Sequence, residues 1–236
     1  MSVSGAGGPG ARQPGVLRTA FYWVVKGSAW PVAKLYLRMS VEGRERVPRS
    51  GPVLVVANHT SYLDAALLGS AFPRRIRFLI TLPIYSMRRL TWFYYMMGSI
   101  PLAPDAPDPR ALKTALRTLQ TGGVVGIFPE GQRMPDGALG EPRAGVALIA
   151  ARSGALVVPA AILGAHRSMP VGSMIPRPHR VRVVFGDPIA FPAAGQGRPD
   201  RARLEAFADQ IMRTIESLMN NTAPDDAAGN PRRASS

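Results

Sequence analysis

The residues of this chain best suited to moving a proton are His59 and Asp64, in the run Asn58-His59-Thr60-Ser61-Tyr62-Leu63-Asp64. A carboxylate that accepts a hydrogen bond from one imidazole nitrogen fixes the tautomer and leaves the other nitrogen free to act as a base. The pair is equally compatible with a structural reading, since a polar residue ending a strand and an aspartate in a first helical turn both recur for reasons of capping. A second polar run, Pro129-Glu130-Gly131-Gln132-Arg133, sets a glutamate and an arginine around a glycine. Such a loop can bind a phosphate or polyol at close backbone approach, or can simply be a turn carrying a surface ion pair.

Both runs need rigid elements behind them. Val53 to Ala57, bounded by Ser50-Gly51-Pro52, and Val124 to Phe128 are short, uncharged and rich in β-branched residues, which predicts strands buried on both faces. Thr60 or Ser61 is positioned to cap a helix through Leu68, and a Ser61 cap puts Asp64 at the third helical position, where its carboxylate turns back toward His59. Arg110 to Thr121, Gly145 to Arg152 and Arg201 to Met219 carry helical patterning, and Val157 to Leu163 and Val181 to Phe185 read as strands. The alternation predicts a single α/β domain with its motif loops at the strand ends.

The chain has 236 residues, a formal charge of +14 and no cysteine. The charge fits a nucleic acid, an anionic bilayer or a nucleotide-bearing thioester as partner. No finger spacing, aromatic RNA-binding block or basic recognition helix occurs, so nucleic acid fits least. Without cysteine there are no disulfides, thiolate metal sites or enzyme thioesters. The three histidines, His59, His166 and His179, have no zinc-like spacing, and there is no Gly-x-Ser-x-Gly elbow, P-loop or dinucleotide fingerprint. From Val16 to Met39, aromatic and aliphatic residues alternate with Arg18, Lys26, Lys34 and Arg38, and Pro31 interrupts them. That pattern predicts one or two helices in a membrane interface, or helices packed on the core. Ile76 to Met97, with its aromatics, Met96, Met97 and flanking arginines, can line an acyl-chain groove or belong to an ordinary core.

Four blocks now stand in order: Asn58 to Asp64, Gly98-Ser99-Ile100-Pro101, Phe128 to Arg133, and Val157-Val158-Pro159-Ala160-Ala161. In these the chain resembles the 1-acylglycerol-3-phosphate acyltransferase (lysophosphatidic acid acyltransferase) family of glycerolipid acyltransferases, over about residues 40 to 190. The resemblance implies an α/β fold with a mixed central sheet flanked by helices and preceded by N-terminal interfacial helices. Composition adds to it a disordered tail at 1–15, an interfacial segment at 16–39 and a second tail at 220–236, around an acyltransferase domain at 40–219. His59 and Asp64 would be the catalytic base pair, and Glu130, Gly131, Arg133 and Arg143 would bind the acceptor. The substrates would be an acyl-CoA or acyl carrier protein thioester and a lysophospholipid, with no metal or other cofactor, at the cytoplasmic face of the cell membrane. Two departures touch the acceptor side: Leu102-Ala103-Pro104-Asp105 lacks the family's arginine after Pro101, and Gln132 replaces a small hydroxyl residue. They leave open a glycolipid or other lysolipid acceptor, or a membrane-binding homologue without activity.

Overall fold

A computed structural model of the chain describes residues 15–103, 107–134, 137–142, 145–173, 175–192 and 200–221. The tails expected at 1–15 and 220–236 lie almost wholly outside the described residues, as does Arg143. Seven strands form one sheet: β1 (Ser40–Glu42), β2 (Val53–Ala57), β3 (Ile76–Thr81), β4 (Ile100–Leu102), β5 (Val124–Ile127), β6 (Leu156–Leu163) and β7 (Arg182–Phe185). Their order across the sheet is β1-β7-β6-β2-β5-β3-β4, parallel except for the β6–β7 pair.

The helices are α1 (Val16–Leu35), α2 (Asp64–Ala71), α3 (Leu82–Tyr85), α4 (Thr91–Met97), α5 (Pro109–Gln120), α6 (Gly145–Ser153), α7 (Ala165–Ser168) and α8 (Arg201–Asn220). β2 is the centre of the sheet, and its side chains alternate between two cores. Val53, Val55 and Ala57 join the layer under α1 and α2, while Leu54 and Val56 join the layer under α5, α6 and α8. Burial on both faces is why this strand is apolar without interruption. β4 is an edge strand, which tolerates Pro101 because no ladder bond is required on its outer side.

The expectation for residues 16–39 resolves into one helix, α1, with Pro31 inside it. Tyr22 and Ala33 on α1, and Leu37 and Met39 beyond it, are buried, so one face belongs to the core. The opposite face leaves Val24 70% and Leu35 82% exposed. Lys26 is turned inward: its ammonium donates to the Phe72 carbonyl, and burial followed by repulsion from Arg44 pushes it down to about 8. Among the described residues, no helix is long and apolar enough to cross a membrane.

The capping of α2 differs from the expectation. The helix begins at Asp64, with Leu63 at its N-cap and neither Thr60 nor Ser61 in that position. Asp64 itself supplies the missing acceptor, because its Oδ2 takes hydrogen bonds from the amides of Thr60 (2.6 Å) and Ser61 (2.8 Å). Ser61 Oγ instead donates to the Met169 carbonyl at 2.9 Å, tying the turn to the segment after β6.

Candidate active site

Asn58, directly after β2, fixes where the site begins. Its side chain donates from Nδ2 to the Ile162 carbonyl (3.0 Å) and accepts from the Ile162 amide at Oδ1 (2.7 Å). A buried side-chain amide thus continues the pairing to β6 after the strand itself has ended, so the next residue leaves the sheet in a defined direction. His59 is that residue. Its Nδ1 lies 2.8 Å from Asp64 Oδ2, with the histidine side chain 17% exposed and the aspartate fully buried. A carboxylate oxygen can only accept here, so in the neutral imidazole Nδ1 carries the proton and Nε2 the lone pair. Oδ2 gathers the histidine and both turn amides, whereas Asp64 Oδ1 is buried without a partner among the described residues.

Aromatic rings set the tilt of the imidazole. Phe128 stacks on His59 at 4.2 Å between centroids and 15° between planes, and Phe78 stacks on Phe128 in turn at 5.8 Å and 3°. Phe78 pairs across the sheet with Gly126 and covers it; a Cβ at Gly126 would come within 2.6 Å of the Phe78 ring. Glycine is required there by close approach, and a larger residue would displace the stack that ends on His59.

The second polar loop folds against the same turn. Glu130 is 5% exposed and sends Oε2 to the His59 amide (2.9 Å) and Oε1 to the Gly140 amide (3.2 Å). Both of its oxygens accept from backbone amides, so it braces the turn that carries His59. Burial is the main reason its carboxyl is pushed up to about 7; the two amide bonds oppose this and the Asp64 charge adds to it. The Met134 amide donates to the His59 carbonyl at 2.8 Å, completing the brace. Gly131, at φ +70°, makes the left-handed turn that lets the chain double back. Arg133 then projects toward Tyr62: the guanidinium carbon is 4.0 Å from the ring centroid and Nη2 is 3.3 Å from the hydroxyl. Arg133 Nε is buried with no partner among the described residues.

His59, Tyr62, Phe128, Gly131 and Arg133 border one cavity of about 1390 Å³, whose wall is otherwise mainly apolar, with Ile80, Phe93 and Met97 among its residues. Pockets that take one small molecule run to roughly 300–1,000 Å³, so this space is suited to something larger. The structure therefore brings His59, Asp64, Glu130, Gly131 and Arg133 together, with His59, Gly131 and Arg133 on the wall of the cavity. Sequence reasoning gave no role to Asn58, Tyr62, Gly126 or the Phe78–Phe128 stack. Their one prior signal was position, Asn58 and Tyr62 lying inside the His59 block and Phe128 heading the Glu130 block.

Comparison with known proteins places the site in context. The family model described as Acyltransferase matches residues 38–163. The chain is 35% identical over 168 residues to the chloroplastic 1-acyl-sn-glycerol-3-phosphate acyltransferase LPAT1 of Arabidopsis thaliana, covering 68% of this chain and 46% of that protein. It is 24% identical over 183 residues to the 1-acyl-sn-glycerol-3-phosphate acyltransferase of Bacillus subtilis, covering 77% of this chain and 88% of the relative. The chain spans about half the length of the plant relatives it matches, 46% and 48% of two of them. The crystal structure of the 1-acyl-sn-glycerophosphate acyltransferase PlsC from Thermotoga maritima superposes with a TM-score of 0.68 at 24% identity, over 86% of this chain and 81% of that one. That likeness establishes a shared fold.

Proposed function

The chain belongs to the Acyltransferase family, and on that premise we propose that it moves a fatty acyl group from a thioester donor to the hydroxyl of a lysophospholipid. The acceptor of this reading is 1-acylglycerol-3-phosphate and the product phosphatidic acid. The observation that carries it is the His59–Asp64 pair at 2.8 Å, its histidine on the wall of a large apolar cavity.

In this mechanism Nε2 of neutral His59 removes the acceptor hydroxyl proton as that oxygen attacks the thioester carbonyl carbon. The new C–O bond gives a tetrahedral adduct whose negative charge sits on the former carbonyl oxygen. Collapse breaks the C–S bond, and the proton on His59 passes to the departing thiolate sulfur. Asp64 stabilises the imidazolium formed between the two steps, while the turn amides keep its charge in place. The absence of cysteine suits direct transfer without an enzyme thioester. Holding both substrates in line with the base supplies much of the rate. Arg133 is assigned to the acceptor phosphate, Gly131 to the turn that allows its approach, and Glu130 to positioning. Arg143, in Pro142-Arg143-Ala144-Gly145, is assigned a further phosphate contact. The donor is acyl-CoA or an acyl carrier protein thioester, and no metal or other cofactor takes part.

A second reading keeps the chemistry and changes the acceptor to a glycolipid or another lysolipid. Leu102 and Ala103 favour it, since they border the cavity where the family places an arginine. A homologue that only binds membranes is the remaining alternative, and the intact His59–Asp64 geometry counts against it. The exposed apolar face of α1 and the charge of +14 support peripheral attachment to an anionic membrane, assigned to the cytoplasmic face. The deciding experiment presents labelled acyl-CoA and acyl carrier protein donors with a panel of lysolipids. Transfer fastest to 1-acylglycerol-3-phosphate is expected; preference for an uncharged acceptor selects the second reading, and no transfer to any acceptor overturns the enzyme assignment.

A further inference from the structure

Next to the cavity wall at Met97 and Ser99, three guanidinium groups converge on Gly98 at the end of α4. A Cβ at Gly98 would stand 3.1 Å from Arg75 Nη2, 3.5 Å from Arg77 Nε and 3.6 Å from Arg18 Nη2. Arg18 donates to the Tyr95 carbonyl, Arg75 to those of Met96 (3.4 Å) and Met97 (3.2 Å), and Arg77 to that of Gly98 (2.8 Å). Arg75 and Arg77 also reach the hydroxyls of Thr19 (3.2 Å) and Thr118 (3.0 Å). Every acceptor here is neutral. No carboxylate among the described residues pairs with any of the three arginines. The neighbouring phenols of Tyr22 and Tyr85 are pushed up, chiefly by burial, and so bring no negative charge near neutrality.

The helix end offers the equivalent of about half a negative charge against three positive ones. Burial pulls Arg75 and Arg77 below the usual arginine range, and repulsion from their fellow arginines adds to it. The Nε atoms of Arg18 and Arg75 are buried without an acceptor among the described residues. A cluster with surplus charge and surplus donors is matched by an anion with several acceptor oxygens, and guanidinium geometry suits phosphate. Its surroundings point to the source. Arg18 packs on the Tyr95 ring at 4.3 Å and Phe21 on Trp92 at 5.8 Å, while Leu17, Trp92 and Tyr95 are exposed beside them. Exposed aromatic and aliphatic residues around basic side chains are the arrangement found at headgroup depth in a membrane surface.

We propose that Arg18, Arg75 and Arg77 form a phosphate-binding site, separate from the transfer site and seated on an anionic lipid headgroup. None of the three borders the large cavity, and the site does not depend on the acyltransferase reading. The test uses the full chain, Arg18→Gln, Arg77→Gln and the charge-matched control Arg213→Gln, on α8 across the sheet. Binding to phosphatidylglycerol–phosphatidylcholine vesicles is measured by flotation, and thermal midpoints are compared in sodium phosphate and sodium chloride at equal ionic strength. Loss of about fivefold in vesicle affinity per arginine is expected for the two cluster variants, with Arg213→Gln near wild type. Phosphate should raise the wild-type midpoint more than that of Arg18→Gln, which keeps only the share due to Arg133 and to the general effect of the salt.

If vesicle binding is unchanged but the phosphate effect is smaller in Arg18→Gln, the site stands and its ligand is a phosphate-bearing solute. Arg18 sits on the first turn of α1, so its variant carries the test should Arg77→Gln misfold. Cluster variants that bind vesicles like Arg213→Gln, together with a midpoint shift by phosphate that is absent in wild type or equally large in Arg18→Gln, would overturn the proposal.

Discussion

Replacing Asp64 by asparagine isolates the charge of the proposed catalytic pair. The side chain keeps its size and an oxygen able to accept from the Thr60 and Ser61 amides, yet it no longer faces His59 with a negative charge. With charge centres about 4 Å apart and an effective dielectric near 20, the imidazolium loses roughly 4 kcal/mol of stabilisation, close to a thousandfold in rate. The new amide nitrogen carries a second cost. It either takes the buried Oδ1 position, which has no partner among the described residues, or turns toward Nδ1 and selects the wrong tautomer. A buried donor left unpaired costs about 1–3 kcal/mol of stability, which the variant can survive. The assay is the initial rate of labelled acyl transfer at saturating substrates, on protein shown to be folded by circular dichroism and a cooperative melt. His59→Ala should lose about 10²–10⁴ in kcat, the range of general acid–base catalysis. The double variant should be little worse than His59→Ala, because the two residues act as one unit. A folded Asp64→Asn within tenfold of wild-type kcat would refute the assignment of Asp64, and near-normal turnover by His59→Ala would sink the base mechanism.

Glu130→Gln sets an amide donor against the amide of His59 or of Gly140, so it should lower kcat and cost about 1–3 kcal/mol of stability at acid pH. Because burial raises the folded Glu130 carboxyl from 4.5 to about 7, its proton stabilises the fold fully below 4.5, and this contribution is lost as pH rises through 7. The uncharged variant should flatten that slope in denaturation curves by a few kcal/mol, at roughly 1.4 kcal/mol per pKa unit; an unchanged slope would remove Glu130 as its source. Arg133→Ala should reduce kcat/KM for a phosphate-bearing lysolipid by about 10–100-fold, the value of roughly 1.5–3 kcal/mol for a charged hydrogen bond, without altering donor KM. Equal losses toward charged and uncharged acceptors would speak against phosphate recognition. Deleting α1 would also strip Tyr22 and Ala33 from the core, so Val24→Ser with Leu35→Ser is the cleaner test of its exposed face. At roughly 1.5–3 kcal/mol for each side chain buried in lipid, the pair should weaken vesicle flotation at least tenfold, and high salt should remove only part of wild-type binding. Flotation equal to wild type would place the anchor elsewhere, with α4 and its exposed Trp92 and Tyr95 the next candidate.

Much of the architecture could be read from local pattern. The runs at 53–57 and 124–128 had to be buried strands because they offer no polar side, and both are central in the sheet. The spacing from His59 to Asp64 fits one turn, so their pairing needed no distant partner. The mix of aromatic, aliphatic and basic residues at 16–39 points to helices in a membrane interface ahead of core packing, and the fold gives one helix with one face on the core. Long-range contacts were beyond that reach. Glu130 is 71 residues from His59 and Asn58 is 104 from Ile162, and only strand order brings them within a hydrogen bond. A glutamate beside a glycine and an arginine reads as a surface ligand, yet the parallel pairing of β2 with β5 places the two following loops together and turns this carboxylate onto a backbone amide. The residues able to do chemistry were legible without the fold, since side-chain type and short spacing are local properties. Which of them border the cavity and which hold the turn came only with the fold, because burial and direction depend on elements that meet only in the folded sheet.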